Sequence, residues 1–124
     1  MTDFQEFTFL SSDGHTQLHG AQWTPADRKP RAVLQIAHGV AEHILRYDDF
    51  ARYLNDRGIL VAGHDHLGHG GSIRTKEDYG YFGEPDGNRA VLEDLHAVTT
   101  LTKQLYPGVP YFLLGHSMGS FYAR

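Results

Sequence analysis

Residues 111–119 read YFLLGHSMG, in which a short apolar run is followed by Gly-His-Ser-Met-Gly. The last five residues fit the pattern G-x-S-x-G, where a strand turns sharply into a helix and presents a serine hydroxyl at the bend. The flanking glycines, Gly115 and Gly119, suit a strained turn that brings backbone segments close together. With an apolar strand before it and a helix-compatible stretch after it, Ser117 is predicted to be a nucleophile. The alternative is an ordinary turn serine.

Two similar apolar runs occur earlier in the chain, AVLQIAHG at 32–39 and ILVAGHD at 59–65. Short runs of this kind are typical of strands that are buried on both faces of a parallel sheet. All three runs end in small and polar residues, and ligands of open α/β sheets bind at the carboxyl ends of the strands. A site at that edge is therefore expected, although turns are also built from such residues.

Helical patterns separate the three runs. In 46–58, apolar residues recur at steps of three and four, and Gly58 is a suitable stop. In 88–108, a second apolar stripe is closed by Pro107-Gly108. The stripe consists of Val91, Leu95, Val98, Leu101 and Leu105.

The first 25 residues follow a different rule. Residues 4–12 and 17–25 alternate apolar and polar side chains on either side of Asp13-Gly14, which predicts a β-hairpin. The predicted order is an antiparallel hairpin followed by a parallel βαβαβ unit that ends just after the serine turn. The fold class is therefore α/β.

Composition excludes several classes of protein. A length of 124 residues allows one domain, and 40% apolar with 21% charged residues is typical of a globular chain. The net charge of −4 argues against a nucleic-acid partner. The chain has no apolar run of membrane-spanning length, and its first residues, without a basic cluster or a long apolar core, are not expected to form a secretory signal. The absence of cysteine excludes disulfides and thiolate metal sites, and it fits a cytoplasmic location.

A serine nucleophile needs two backbone N–H groups directed at the developing oxyanion. One normally belongs to the residue after the nucleophile, which here is Met118. The other comes from the loop after the third strand, where Val40 is the expected donor and the turn is made by His38 and Gly39. The alternative is that His38-Gly39 forms only a turn.

Other polar clusters favour less specific roles. The residues His64, His66 and His69 resemble a zinc-binding pattern, but the surrounding glycines favour loop architecture, and no metal is expected. Asp65 is expected to bind turn amides. The pairs Glu42-His43 and Asp94/His96 are unconvincing as acid–base partners. Side chains of adjacent residues diverge, and polar residues of an amphipathic helix usually form its solvated face.

Taken together, four stretches resemble the lysophospholipase and monoacylglycerol lipase group of α/β-hydrolases, nearest to bacterial lysophospholipase-like members. They are AHGVAEHILRYDDFARYL, GHDHLGHGGS, GYFGEPDG and YPGVPYFLLGHSMGS, and the similarity runs from Ala32 to Arg124. The resemblance implies that Ser117 is the nucleophile, with the amides of Val40 and Met118 as the oxyanion hole and turns supported by His38, Gly39, Gly115, His116 and Gly119. Ala41 replaces a glycine that some relatives carry.

The resemblance also implies an eight-stranded sheet with a helical cap after the sixth strand. In this fold the triad follows the order Ser, Asp or Glu, His, so both partners of Ser117 are expected beyond residue 124. Residues 1–124 are then the N-terminal part of a single α/β-hydrolase domain, without the cap and the C-terminal half. The fifth strand would be central in the whole sheet, so its apolar edge is expected to be exposed in this chain.

The expected function of the complete protein is hydrolysis of carboxylic esters, of monoacylglycerol or lysophospholipid type, without a cofactor. A lipid or small-molecule ester is the expected partner, with peripheral membrane contact through the cap. The exposed sheet edge would accept a complementary C-terminal half or a second copy. The alternatives are a small-ester or aminopeptidase-like hydrolase, and a truncated fragment without activity. The 124-residue chain alone is expected to be inactive, because loss of triad members costs orders of magnitude in rate.

Overall fold

The computed structural model describes residues 2–12, 14, 16–38, 43–65 and 87–115, with backbone alone for 87–91. The described strands form one mixed sheet in the order β1-β2-β4-β3-β5. The strands are β1 (Thr2–Leu10), β2 (Gln17–Pro25), β3 (Ala32–Ala37), β4 (Ile59–His64) and β5 (Tyr111–Gly115). The helices are a 3₁₀ helix (Ile44–Tyr47), α1 (Asp48–Asn55) and α2 (Gly87–Leu105).

The hairpin prediction is confirmed. Strands β1 and β2 pair antiparallel along their whole length, from Thr2 opposite Pro25 to Leu10 opposite Gln17. Strand β2 continues into the sheet by pairing antiparallel with β4. Its Trp23 is completely buried, and the indole Nε1 donates a hydrogen bond to Asp48 Oδ1 at 2.9 Å. The hairpin is therefore joined to both the sheet and the start of α1.

The parallel part of the sheet is also confirmed, since β3 pairs parallel with β4 on one side and with β5 on the other. The helix predicted in 46–58 is present as α1, preceded by the 3₁₀ helix. Gly58 adopts a φ of +81° and donates its N–H to the Asn55 carbonyl, as expected of a helix stop. The core between helix and sheet contains Ala21, Trp23, Ile36, Ile44, Ala51 and Val61.

The second predicted helix is present as α2, but its apolar stripe is buried only in part. Leu95 and Val98 are buried, whereas Leu101 and Leu105 are exposed by 48% and 63%. The side chain of Val91 lies outside the described residues. The C-terminal part of the apolar stripe is therefore exposed among the described residues.

Asp94 of α2 was expected on the solvated face of that helix, and this expectation is wrong. The carboxylate is buried and accepts hydrogen bonds from the Ser11 hydroxyl and the Ser12 backbone N–H, both at 2.7 Å. A carboxylate with two good donors tolerates burial, which explains the result. Asp94 therefore fastens α2 to the hairpin turn, while His96, two residues on, is exposed.

Gln35 of β3 joins three elements beneath the carboxyl edge of the sheet. This buried amide donates its Nε2 to the Leu95 carbonyl at 3.1 Å, and its Oε1 accepts the hydroxyls of Thr99 and Tyr111. Strand β3 is thus bonded through one side chain to α2 and to β5. In the described part of the chain, no helix has the length and apolar character needed to cross a membrane.

Candidate active site

The register of the parallel strands brings the ends of β3, β4 and β5 to one edge of the sheet. Ile36 lies opposite Gly63, and Ala37 lies opposite Gly115. His38 follows β3 directly, and Ser117 comes two residues after Gly115 in the sequence. The carboxyl ends of the three parallel strands therefore lie at one edge of the sheet, and the predicted site at this edge stays a prediction.

Two of the predicted site residues are described. His38 is completely buried at the end of β3, and Gly115 closes β5. Six others lie outside the described residues, so their roles stay predictions: Gly39, Val40, His116, Ser117, Met118 and Gly119. Glu42, His66 and His69 lie outside as well.

His64, the last residue of β4, is a neutral buried histidine. Its side chain is completely buried, and the ring of Phe9 meets it edge-on with centroids 5.5 Å apart. Burial, followed by the charge of nearby His38, lowers the pKa of His64 to about 3. Burial removes the water that would solvate a charged imidazole, so the ring stays neutral at ordinary pH.

Asp65 connects the end of β4 to two other parts of the chain. Its buried carboxylate accepts the Ile44 backbone N–H through Oδ1 at 2.6 Å and contacts His19 Nδ1 through Oδ2, also at 2.6 Å. Its own N–H donates to the His19 carbonyl at 2.7 Å. The carboxylate was expected to bind turn amides, and the amide that it binds in the described chain begins the 3₁₀ helix.

His19 of β2 lies between two carboxylates. Its Nδ1 faces Asp65, and its Nε2 lies 2.8 Å from Glu6 Oε1 on the neighbouring strand. Partial burial lowers the pKa of His19, but the hydrogen bonds of Asp65 and Glu6 and their charges outweigh it, so the net pKa is raised. A protonated imidazole with both N–H groups donating fits this position best.

Gly63 provides the space in which Ile44 packs. A Cβ atom at position 63 would lie 2.3 Å from Ile44 Cδ1 and 3.0 Å from the Ile36 carbonyl oxygen. Ile44 is completely buried, and protein interiors are densely packed, so the methyl group could be accommodated only by a shift of this side chain. The start of the 3₁₀ helix is therefore in close contact with the end of β4.

The described residues do not form a metal centre. Among them, no group of three or more His, Cys, Asp or Glu side chains could hold a metal ion. What the arrangement provides is a rigid polar frame: buried histidines at two strand ends and a carboxylate that binds the backbone beyond β3.

Sequence reasoning did not identify His19 or the contact between Asp65 and Ile44. The alternation of 17–25 indicates only that His19 lies on the opposite face of β2 from Leu18. Its partner Asp65 is 46 residues away along the chain. A contact of that range depends on the pairing of β2 with β4, which a single sequence does not specify.

Comparison with known proteins gives the same fold and a consistent group of relatives. Residues 28–124 match the model of the family Hydrolase_4, described as serine aminopeptidase, S33. A highly thermostable carboxyl esterase from Bacillus coagulans, solved in complex with glycerol, superposes with a TM-score of 0.84 at 38% identity. That match covers 99% of this chain and 39% of the esterase.

Two relatives are similar in sequence over most of this chain. A monoglyceride lipase homolog from Monkeypox virus is 46% identical over 101 residues, which are 79% of this chain and 33% of the viral protein. The monoglyceride lipase of Homo sapiens is 36% identical over 124 residues, covering 94% of this chain and 36% of the human protein. The chain thus spans about a third of the length of these relatives.

Proposed function

We propose, on the premise that this chain belongs to the Hydrolase_4 family of α/β-hydrolases, that the full-length protein is a serine hydrolase of carboxylic esters. The observation that carries the proposal is the register of Ala37 opposite Gly115. It places the end of β3, from which the chain continues toward Val40, beside the end of β5, from which the chain continues toward Ser117. A nucleophile and an oxyanion donor from these two segments would share one edge of the sheet.

In the proposed reaction, Ser117 Oγ attacks the ester carbonyl and forms an acyl-enzyme as the alcohol leaves. A histidine beyond residue 124 takes the serine proton and returns it to the leaving alcohol, and an acidic residue beyond 124 orients that histidine. The backbone N–H groups of Val40 and Met118 bind the oxyanion of each tetrahedral intermediate. Water then attacks the acyl group with the same base, and the carboxylic acid leaves. No metal has a step in this mechanism.

For the substrate, we propose a monoacylglycerol or a lysophospholipid. Support comes from the relatives, two of which are named for monoglyceride lipase activity, and from the esterase solved with glycerol. The second candidate is a small-ester or aminopeptidase-like hydrolase, which the description of the family model favours. Parallel assays with a monoacylglycerol, a short nitrophenyl ester and an aminoacyl anilide separate the candidates.

Residues 1–124 are proposed to be the N-terminal part of one domain, with a cap and the remaining strands supplied by chain beyond residue 124. The share of the relatives that the chain spans supports this proposal. So does the exposure of Phe112, Leu113 and Leu114 on β5, which are exposed by 57%, 39% and 38%. Three adjacent exposed apolar side chains on a strand favour a covering partner.

The test is replacement of the proposed nucleophile in the full-length protein. Ser117→Ala is expected to lower kcat for ester hydrolysis by about 10⁴-fold or more and to abolish labelling by a fluorophosphonate. Ser120→Ala, three residues later, is the matched control and should keep both activity and labelling. Full labelling of Ser117→Ala, or its unchanged turnover, would exclude the serine mechanism. A wild-type protein that neither labels nor hydrolyses any of the esters would favour the non-catalytic alternative.

A further inference from the structure

The segment 39–42, which contains the proposed oxyanion donor Val40, is bounded by two fixed points. On one side lies His38, completely buried at the end of β3. On the other lies Ile44, completely buried at the start of the 3₁₀ helix, while the intervening His43 is exposed. Contacts that fix Ile44 therefore act on the described residues that follow this segment.

The Ile44 backbone N–H is bound by a charged acceptor. Asp65 Oδ1 accepts this hydrogen bond at 2.6 Å in a buried environment. A hydrogen bond from an amide to a carboxylate is roughly twice as strong as one between neutral groups, and exclusion of water strengthens it further. Asp65 directly follows β4, the central strand of the described sheet, so this hydrogen bond fixes Ile44 relative to the sheet.

Asp65 is itself unable to turn away from Ile44. Its second oxygen contacts His19 Nδ1 at 2.6 Å, and its backbone N–H donates to the His19 carbonyl at 2.7 Å. His19 in turn is fixed from the other side by Glu6 Oε1 at 2.8 Å. Strands β1 and β2 thus fix the rotamer of the carboxylate that binds Ile44.

Packing provides a second, independent restraint on the same residue. The Ile44 side chain fills the space above Gly63, where a Cβ atom would come within 2.3 Å of Cδ1. Its backbone is therefore fixed by Asp65 and its side chain by Gly63, and both contacts come from the last residues of β4 and the residue after it.

We infer that Asp65 is a positioning residue for the oxyanion site, acting through Ile44 on the segment that carries Val40. The inference rests on the proposed function. An oxyanion amide contributes to the rate only if it already points at the developing charge, and small displacements of a catalytic group are costly. Asp65 touches no reacting atom in this scheme. Its contribution is to fix the backbone geometry on which the Val40 amide depends.

The experiment uses the full-length protein and the variant Asp65→Asn, which keeps the shape of the side chain and removes its charge. We expect kcat for ester hydrolysis to fall by about 10-fold or more, below the 10²–10³-fold loss seen when an oxyanion donor is removed outright. KM should stay within about 2-fold, because ground-state binding does not use the oxyanion site. Affinity for an alkylboronic acid, which forms a tetrahedral anion on serine, should fall in parallel with kcat.

Asp48→Asn is the matched control. Asp48 also accepts two side-chain donors, Trp23 Nε1 and Arg52 Nε, but it is not bonded to the backbone next to 39–42. We expect it to lower the thermal midpoint while kcat and boronic acid affinity change by less than about 2-fold. A merely structural role of Asp65 would give the same result for both variants.

Each outcome decides the question. A folded Asp65→Asn variant with kcat and boronic acid affinity within 2-fold of wild type would overturn the inference. If Asp65→Asn does not fold, kcat of His19→Gln is measured instead. This variant removes the imidazole that holds the Asp65 carboxylate but keeps the carboxylate itself. An unchanged kcat would then overturn the inference. If the wild-type protein hydrolyses no ester, or if Ser117→Ala remains active, the proposed function fails and the inference fails with it. An inactive Ser117→Ala beside a fully active Asp65→Asn contradicts the inference alone.

Discussion

Strands β4 and β5 are the two parallel neighbours of β3, and they differ sharply in burial. Both are short apolar runs that end in glycine and histidine in the sequence. In β4 every residue after Ile59 is buried. In β5, Phe112, Leu113 and Leu114 are exposed by 57%, 39% and 38%. Two strands with similar sequences, each paired in parallel with β3, therefore differ in that one is buried and the other is exposed.

The difference comes from neighbours and not from composition. Strand β4 is paired on both sides, by β3 and β2, and α1 packs against it. Strand β5 is paired only with β3 among the described strands and forms one edge of the sheet, while β1 forms the other. At the end of β4, Asp65 is bonded to both Ile44 and His19. Strand β5 instead has exposed apolar side chains just before the predicted nucleophile turn.

The largest expected effect compares two residues that lie opposite each other on neighbouring strands, buried Ile36 of β3 and exposed Leu114 of β5. In the 124-residue chain, Ile36→Ala should lower the free energy of unfolding by about 2–5 kcal/mol, because it leaves a cavity in a closed core. Leu114→Ala should cost about 1 kcal/mol or less, since that side chain is already partly in water. Urea unfolding of both variants measures the difference.

The same pair sharpens the comparison in the full-length protein. If chain beyond residue 124 covers β5, as proposed, Leu114→Ala should there approach the cost of Ile36→Ala, while the cost of Ile36→Ala itself changes little. Equal costs for the two variants in the 124-residue chain would contradict the contrast between β4 and β5. An equally small cost of Leu114→Ala in both proteins would contradict the proposed covering.

The next effect concerns the close contact on the β4 side. Gly63→Ala should destabilise the protein by about 1–3 kcal/mol, because the new methyl group overlaps Ile44 and approaches the Ile36 carbonyl oxygen. Thermal or urea unfolding of the full-length protein measures the loss. Activity should fall as well, because displacement of Ile44 shifts one end of the segment 39–42.

A double variant serves as the control for this contact. Ile44→Val removes the Cδ1 atom that the new methyl group would meet, so adding it to Gly63→Ala should recover part of the stability. The two substitutions lie in contact, and a non-additive result is expected. Additive losses would show that the overlap with Ile44 is not the cause.

Most of the fold could be predicted from the sequence because its signals are local. Alternation around Asp13-Gly14 predicted the hairpin, and three short apolar runs separated by helical patterns predicted the parallel strands. The site edge followed from a general rule on strand ends. Each of these inferences depends on residues close together in the chain. The hairpin and the parallel strands are confirmed in the described part, and the site at the strand ends stays a prediction.

The errors and omissions concern contacts between distant residues. Asp94 looked like a solvated helix residue, but Ser11 and Ser12, more than 80 residues away, make its burial favourable. Leu101 and Leu105 continue a regular stripe, yet they are exposed. His19 and Asp65 meet only because β2 pairs with β4. Periodicity predicts which face a residue occupies, but not what lies opposite that face.

The smallest expected effect concerns the charge of His19, which lies between Glu6 and Asp65 at the end of β4. Because the folded protein raises the pKa of His19, its imidazole takes up a proton more readily in the folded state than in the unfolded one. The resulting stabilisation is fully present below the unfolded pKa of about 6.5 and is lost as the pH rises through the folded value. His19→Gln should therefore cost about 1 kcal/mol near pH 6 and less at pH 9.

Urea unfolding of wild type and His19→Gln between pH 5.5 and 9 measures this difference. Glu6→Gln is the control: Glu6 is about half exposed, so its bond to His19 is screened by water and its removal should give a smaller pH-dependent change. Buried His64 does not disturb the comparison, because it is present in all three proteins and its effect cancels. If the cost of His19→Gln instead grew with pH, His19 would be neutral between the two carboxylates. Its contact with Asp65 would then be a hydrogen bond from a neutral imidazole and not from a charged one.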